Sequence, residues 1–141
     1  TYAQNDQPLI AARLVEQVAA YEPRFYYEAA ELYRRAGNQD RALYNNSILT
    51  KQKKKTEQRF NLLLGLARYE EALALEGRMK RLGILDEDDM RYAMAYVHFK
   101  VQHFDESGAY INQITSADYF REATQLRKAI ELMRNREYQY F

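Results

Sequence analysis

The chain has 141 residues, of which 47% are hydrophobic and 29% charged, with two prolines, five glycines and no cysteine. This length and balance suit one domain with a buried core, and they exclude a disordered chain. The absence of cysteine excludes disulfides, thiolate metal sites and a cysteine nucleophile. A net charge of +1 gives no general attraction to nucleic acid or acidic lipid.

Helical periodicity runs through most of the chain and predicts an all-α fold. Asp6 and Pro8 are typical of a helix start, with Asp6 as the cap and Pro8 in the first turn. Gly37 and Gly83 each predict a helix end. Thr115, with Asp118 three residues on, has the pattern of a capping box that opens the last helix. The predicted helices cover residues 8–21, 24–36, 39 to a turn within 51–56, 56–66, 69–82, 86–101, 104–113 and 116–136.

The links between these helices are short, so consecutive helices must pack antiparallel as hairpins. Small residues recur where two helices would approach closely, and an aromatic residue begins the second helix of two hairpins. The small residues are Ala30, Ala42, Ala72, Ala95 and Ser107, and the aromatic residues are Tyr69 and Phe104. A single hairpin cannot bury its apolar face, and the pattern therefore predicts that the hairpins stack.

The segment Ala30–Ala42 resembles the tetratricopeptide repeat (TPR) family, because Ala30, Tyr33, Gly37 and Ala42 have the spacing of that family's repeat. The resemblance covers residues 9–115 and implies an α-solenoid that forms one TPR-like domain over residues 1–141. Its expected parts are a partial repeat at 8–22, repeats at 24–53, 56–83 and 86–114, and a capping helix at 116–136. Because the chain opens on a second-type helix, we expect it to be the C-terminal part of a longer array.

Members of this family bind a partner segment on a concave surface lined by the first helices. In one subset, Lys, Asn and Arg there hold a C-terminal carboxylate. The corresponding positions here are Tyr27, Glu31, Gln58, Asp89 and Ala93, which would not attract a carboxylate, so we exclude that mode. The residues expected on the concave face are Arg24, Tyr27, Glu31, Arg34, Asn61, Leu64, Tyr92, Tyr96 and Phe99.

Tyr92, Tyr96 and Phe99 share one helical face. Tyrosine is enriched at interfaces, although an aromatic stripe at this spacing is more often ordinary packing between helices. The cluster Lys51–Lys55 is either an anionic contact or localisation signal, or, as we favour, favourable charge at a helix C-terminus together with a solvated turn. Asp86–Asp89 lacks calcium-loop spacing, and we interpret it as first-turn acids.

The sequence predicts no enzyme, no cofactor and no metal site. His98 and His103 are five residues apart and should point to different helix faces, which argues against a shared metal. Ser47, Ser107 and Ser116 have no paired base in any recognisable motif, and no glycine-rich phosphate loop occurs.

The predicted function is a non-catalytic scaffold that binds a protein or peptide partner, without nucleic acid and without a membrane span. Three aromatic residues within Glu137–Phe141 suggest packing on the last hairpin or, alternatively, a tail that joins copies into a homo-oligomer. The segments Arg91–Tyr96 and Phe120–Ala129 also resemble, more weakly, bacterial TPR proteins that accompany TonB–ExbB–ExbD systems. That resemblance implies a structural role in an envelope complex and a periplasmic rather than cytoplasmic location.

Overall fold

A computed structural model describes the backbone of residues 2–139 and the side chains of residues 7–136. Within that part of the chain the fold is entirely helical and contains no β-strand, which confirms the all-α prediction. The helices are α1 (Tyr2–Ala19), α2 (Tyr26–Arg35), α3 (Gln39–Ile48), α4 (Gln52–Gly65), α5 (Tyr69–Leu73), α6 (Glu76–Arg81), α7 (Asp88–Lys100), α8 (Phe104–Gln113) and α9 (Phe120–Gln139). Short 3-10 helices at Pro23–Phe25, Ile84–Asp86 and Ala117–Tyr119 precede α2, α7 and α9.

The chain divides into two compact units, residues 1–68 and 69–141. In the first unit, α1 packs on α2, α2 on α3 and α3 on α4. Its core joins Ala12 of α1, Tyr33 of α2, Ala42 of α3 and Leu62 of α4. The small residues Ala30 and Ala42 are both fully buried, as their predicted role in close helix approach requires.

In the second unit, α7 packs against α5, α8 and α9. Ala72, Ala95 and Ser107 are fully buried, and the Ser107 hydroxyl donates to the Ala95 carbonyl at 2.7 Å. Neighbouring helices therefore approach closely at the predicted small residues in this unit too.

The helix ends at Leu66, Val101 and Ala36 share one hydrogen-bonding pattern. In each, a residue with positive φ follows the helix: Gly37 at 78°, Ala67 at 56° and Gln102 at 66°. The next amide reaches back five residues, as in Asn38 to Tyr33, Arg68 to Leu63 and His103 to His98. This is the Schellman arrangement, which satisfies carbonyls left open at a helix end.

Four predicted boundaries were wrong. Helix α1 begins at Tyr2, so Pro8 lies inside it rather than in its first turn; the Asp6 side chain lies outside the described residues. The predicted helix 69–82 is interrupted at residues 74–75. Ser116, not Thr115, caps the last helical segment, accepting from the Asp118 amide at 3.2 Å.

The fourth difference is the start of α4 at Gln52, four residues before the predicted start. Leu49 has an extended backbone and separates helix α3 from helix α4, although no glycine or proline occurs there. The lysine cluster therefore lies in the first turn of α4. Our interpretation of it as favourable charge at a helix C-terminus was wrong, because cations are unfavourable at an N-terminus.

Two glycines provide a matched test of the turn geometry. A Cβ at Gly37 or Gly65 would meet no atom within 4 Å, but only Gly37 has a positive φ. We expect Gly37→Ala to lower the free energy of unfolding by about 1 kcal/mol, because a left-handed conformation is strained in alanine. Gly65→Ala should instead raise it by about 0.5 kcal/mol, because alanine favours the helix. Urea unfolding of both variants checks this, and equal effects would contradict it.

Candidate functional site

One face of α2 carries three of the predicted partner-binding residues. Tyr27, Glu31 and Arg34 follow one another at helical spacing, and none of them is fully buried. Arg34 forms an ion pair with Glu31 at 3.1 Å. The structure therefore brings these three side chains onto one surface strip of the first unit, which we call the α2 face.

Buried amide side chains hold the α2 face against α4. Gln58 of α4 donates to the Tyr27 carbonyl at 3.0 Å and to the Glu31 carboxylate at 3.2 Å. Its own carbonyl accepts from Asn46 of α3 at 3.0 Å, and Asn46 also donates to the Lys55 carbonyl at 3.0 Å. Because Gln58 is 2% and Asn46 0% exposed, these bonds replace water that the groups lose on folding.

This amide network was not found from the sequence, where Gln58 entered only as a position of the carboxylate-binding subset. The available signal was a glutamine four residues before Leu62, a spacing that places both side chains on one face of a helix. Gln58 is therefore buried beneath the α2 face and holds it in place through its bonds to Tyr27 and Glu31.

An open cavity of about 190 Å³ adjoins the α2 face. Its lining combines mainly apolar side chains, which we call its floor, with cations, which we call its rim. The floor consists of Pro23, Tyr27, Ile48 and Leu49, and the cations are Arg24, Lys51 and Lys54; Thr50 completes the lining. We call this cavity the cationic groove.

Among the described residues, no carboxylate lines the cationic groove. Arg24 pairs with Glu22 at 2.9 Å, whereas Lys51 and Lys54 form no ion pair among the described residues. The Lys54 ammonium lies 5.1 Å from the centre of the Tyr27 ring, within the range of a cation–π contact. Burial, together with the charges of Glu31 and Glu57, raises the pKa of Tyr27, so its hydroxyl stays neutral at physiological pH.

The aromatic side chains of α7 lie against neighbouring elements of the second unit. All three are partly exposed, and each has a ring partner whose centroid is 5.8 to 6.2 Å away. The pairs are Tyr92 with Tyr119, Tyr96 with Tyr69 and Phe99 with Phe104. These contacts favour the packing interpretation, although part of each ring is left for a partner.

Asn61 and Leu64 lie on α4, Asn61 exposed and Leu64 half-buried. They belong to the first unit with the α2 face, while the α7 aromatics belong to the second. A single concave face shared by all these residues stays a prediction.

A polar cluster joins α6, α7 and α8 in the second unit. Glu76 accepts from Nε2 of His98 at 2.7 Å and from the Tyr110 hydroxyl at 2.6 Å. Since a carboxylate has no hydrogen to give, Nε2 of His98 must carry one. Burial raises the pKa of Glu76, but the bonds from His98 and Tyr110 outweigh that effect and leave it lowered. Burial and the bond to Glu76 raise the pKa of Tyr110.

His103 completes this cluster, contrary to the prediction that the two histidines point apart. The Nδ1 atoms of His98 and His103 lie 3.3 Å apart. The prediction was wrong because α7 ends at Lys100 and the left-handed Gln102 turns the chain back. Even so, no group of three or more His, Asp or Glu side chains that could hold a metal occurs among the described residues.

The cluster adjoins an open polar cleft of about 430 Å³ that Glu76 and Tyr110 line. His98 is only 4% exposed, and its two ring nitrogens face Glu76 and His103. Both ring nitrogens of His98 are therefore engaged within the protein.

Asp88 links the start of α7 to the segment before α9. Its carboxylate accepts from the Ser116 amide at 2.8 Å and from Arg91 at 3.0 Å. The Ser116 amide, with burial acting in the opposite direction, keeps the pKa of Asp88 low. The first-turn position predicted for the acids is correct for Asp88 and Asp89.

Among the described residues, no helix has an apolar stretch long enough to cross a bilayer. The side chains of the C-terminal aromatic tail lie outside the described residues, so the proposed joining of copies through that tail stays a prediction.

No family model, curated protein or solved structure matches the chain.

Proposed function

We propose that this chain is a non-catalytic interaction module of the TPR type, which binds a segment of a partner protein in its first unit. The observation that carries the proposal is the cationic groove beside the α2 face. Partly exposed Tyr27 belongs to both, and tyrosine and arginine, here Tyr27 and Arg24, are enriched at protein interfaces.

Two features support this function and the fold that it assumes. The three Schellman turns at Gly37, Ala67 and Gln102 recur as expected of repeated hairpins. The buried bonds of Gln58 hold the backbone and carboxylate of the α2 face in place, and a preorganised surface loses less entropy on binding.

Photo-crosslinking tests where the partner binds. A benzophenone amino acid placed at Tyr27 or at Arg34 should crosslink one common partner in the native host. The matched control is Arg35, an exposed neighbour of Arg34 about 100° further round the helix. We expect at least about tenfold less crosslinking there, since most interface energy lies in a few central residues. Equal crosslinking at all three positions would contradict the proposed surface.

A second candidate function is structural: self-assembly, or a place in a bacterial envelope complex of the TonB type. It is favoured by an exposed apolar stripe on α1, formed by Ile10, Leu14 and Val18, which are 58%, 59% and 47% exposed. Contiguous exposed apolar surface marks interaction sites. Under this alternative, sedimentation velocity should show a concentration-dependent oligomer that Leu14→Lys dissociates. A monomer at all concentrations would contradict self-assembly.

A further inference from the structure

The shape of the cationic groove restricts what can occupy it. Its volume of about 190 Å³ is below the range of sites that enclose drug-sized ligands. The floor at Pro23, Ile48 and Leu49 can accept one apolar side chain. An occupant must therefore leave most of its body outside the groove, as a polypeptide segment does.

The lysines of the groove lie at the N-terminus of helix α4, where positive charge destabilises a helix. Lys53 and Lys54 lie in the first turn of α4, and Lys51 immediately precedes it. That turn has no acidic residue and no side-chain cap. Because the N-terminus of a helix carries partial positive charge, these lysines oppose its stability.

The absence of acidic partners for Lys51 and Lys54 among the described residues indicates that the groove binds an anionic partner. Lys51 and Lys54 line the groove and form no ion pair within the described part of the chain. The Glu22 carboxylate on Arg24 shows that one rim cation already holds an acid. An incoming carboxylate could pair with the two lysines without displacing a carboxylate of this chain.

We infer that the cationic groove binds an acidic segment of a partner protein, in which an apolar side chain enters the floor while flanking carboxylates meet Lys51 and Lys54. This inference rests on the proposed function and adds the chemistry of the partner. A protein segment fits better than nucleic acid or a lipid surface, because the groove combines an apolar floor with few cations and the whole chain has a net charge of only +1.

The test uses the full chain and three short fluorescein-labelled peptides, with binding followed by fluorescence anisotropy. In the first peptide, a leucine is flanked on both sides by glutamates; the second has glutamines for the glutamates, and the third has serine for the leucine. We expect the first peptide to bind at least about tenfold more tightly than either of the others, corresponding to about 1.4 kcal/mol.

Lysine variants locate the binding. Lys51→Gln with Lys54→Gln should weaken binding of the first peptide about tenfold, whereas Lys53→Gln, in the same helical turn but outside the groove lining, should change it less than about twofold. Thermal unfolding provides the control for folding. Removing charge at the N-terminus of α4 stabilises the helix, whereas loss of the Lys54–Tyr27 contact destabilises the fold by a similar amount. The melting temperature should therefore stay within about 5 °C, and weaker binding by a variant that meets this control is attributed to the groove.

Each other outcome overturns the inference in a distinguishable way. Equal binding of the glutamate and glutamine peptides would show an apolar groove without charge recognition. Displacement by single-stranded DNA or anionic vesicles, regardless of the leucine, would show a general polyanion surface. Absence of all peptide binding, with crosslinking from Tyr27 retained, would overturn the acidic partner but not the proposed function. Absence of peptide binding together with absence of crosslinking from Tyr27 would overturn the acidic partner and the proposed function alike.

Discussion

Replacing Gln58 with glutamate is expected to lower the free energy of unfolding by about 3 kcal/mol at neutral pH. The new carboxylate would face the Tyr27 carbonyl and the Glu31 carboxylate, which now accept from the Gln58 amide. Only Asn46 would still donate to it. A buried charge with one donor and two facing acceptors is among the most destabilising single changes.

The matched control is Gln58→Met, which keeps the volume without introducing charge and should cost about 1 to 2 kcal/mol through the lost hydrogen bonds. Urea unfolding followed by circular dichroism at pH 7 and pH 5 separates the two. Lowering the pH should recover part of the stability of Gln58→Glu only, because a protonated carboxyl can donate to its neighbours. Equal stability of both variants at pH 7 would contradict the described network.

The second large effect is expected at His98. His98→Leu should lower the free energy of unfolding by about 2 kcal/mol, since it removes a hydrogen bond to a charged group and the stacking of His98 on Tyr110, whose ring centroids lie 5.6 Å apart. His103→Leu is the control. His103 is exposed, and its loss should cost less than about 0.5 kcal/mol.

The acid dependence of stability tests the same contact. A lowered folded pKa of Glu76 gives stability that is present above its ordinary pKa, near 4.5, and is lost as the pH falls through the folded value. Without His98 the pKa of Glu76 should rise, and the loss of stability between pH 5 and pH 3 should become shallower. An unchanged slope in His98→Leu would contradict the Glu76–His98 bond.

Much of the helical fold was predictable because its signals are local. Gly37 and Gly83 end helices as expected, and both have positive φ. Buried Ala30 and Ala95 follow from the small-residue pattern. The start of α4 was missed because no capping residue or glycine marks it, and the extended Leu49 carries no sequence signal.

The candidate site was less predictable because it is assembled from separate elements. The cationic groove combines Tyr27 of α2 with Leu49 and Lys51, which precede α4. The lysines were visible as a cluster, but their meaning depended on which helix end they occupy. Likewise, the contact of His98 with His103 depends on a left-handed Gln102, a conformation that glutamine does not signal.

The α2 face was predicted at the level of its residues but not of its support. Helical spacing places Tyr27, Glu31 and Arg34 together, and the structure agrees. Spacing within α2 could not reveal that Gln58 and Asn46, from α4 and α3, hold this face through buried amide bonds.

Amide chemical shifts of the full chain, titrated with the acidic leucine peptide, test most directly whether the first unit carries the partner-binding surface. We expect the largest changes at Arg24, Tyr27, Leu49, Lys51 and Lys54, and we expect the variant with Lys51→Gln and Lys54→Gln to need about ten times more peptide to reach the same changes. Changes centred on Tyr92, Tyr96 and Phe99 of α7 would contradict this expectation, because binding would then occur in the second unit.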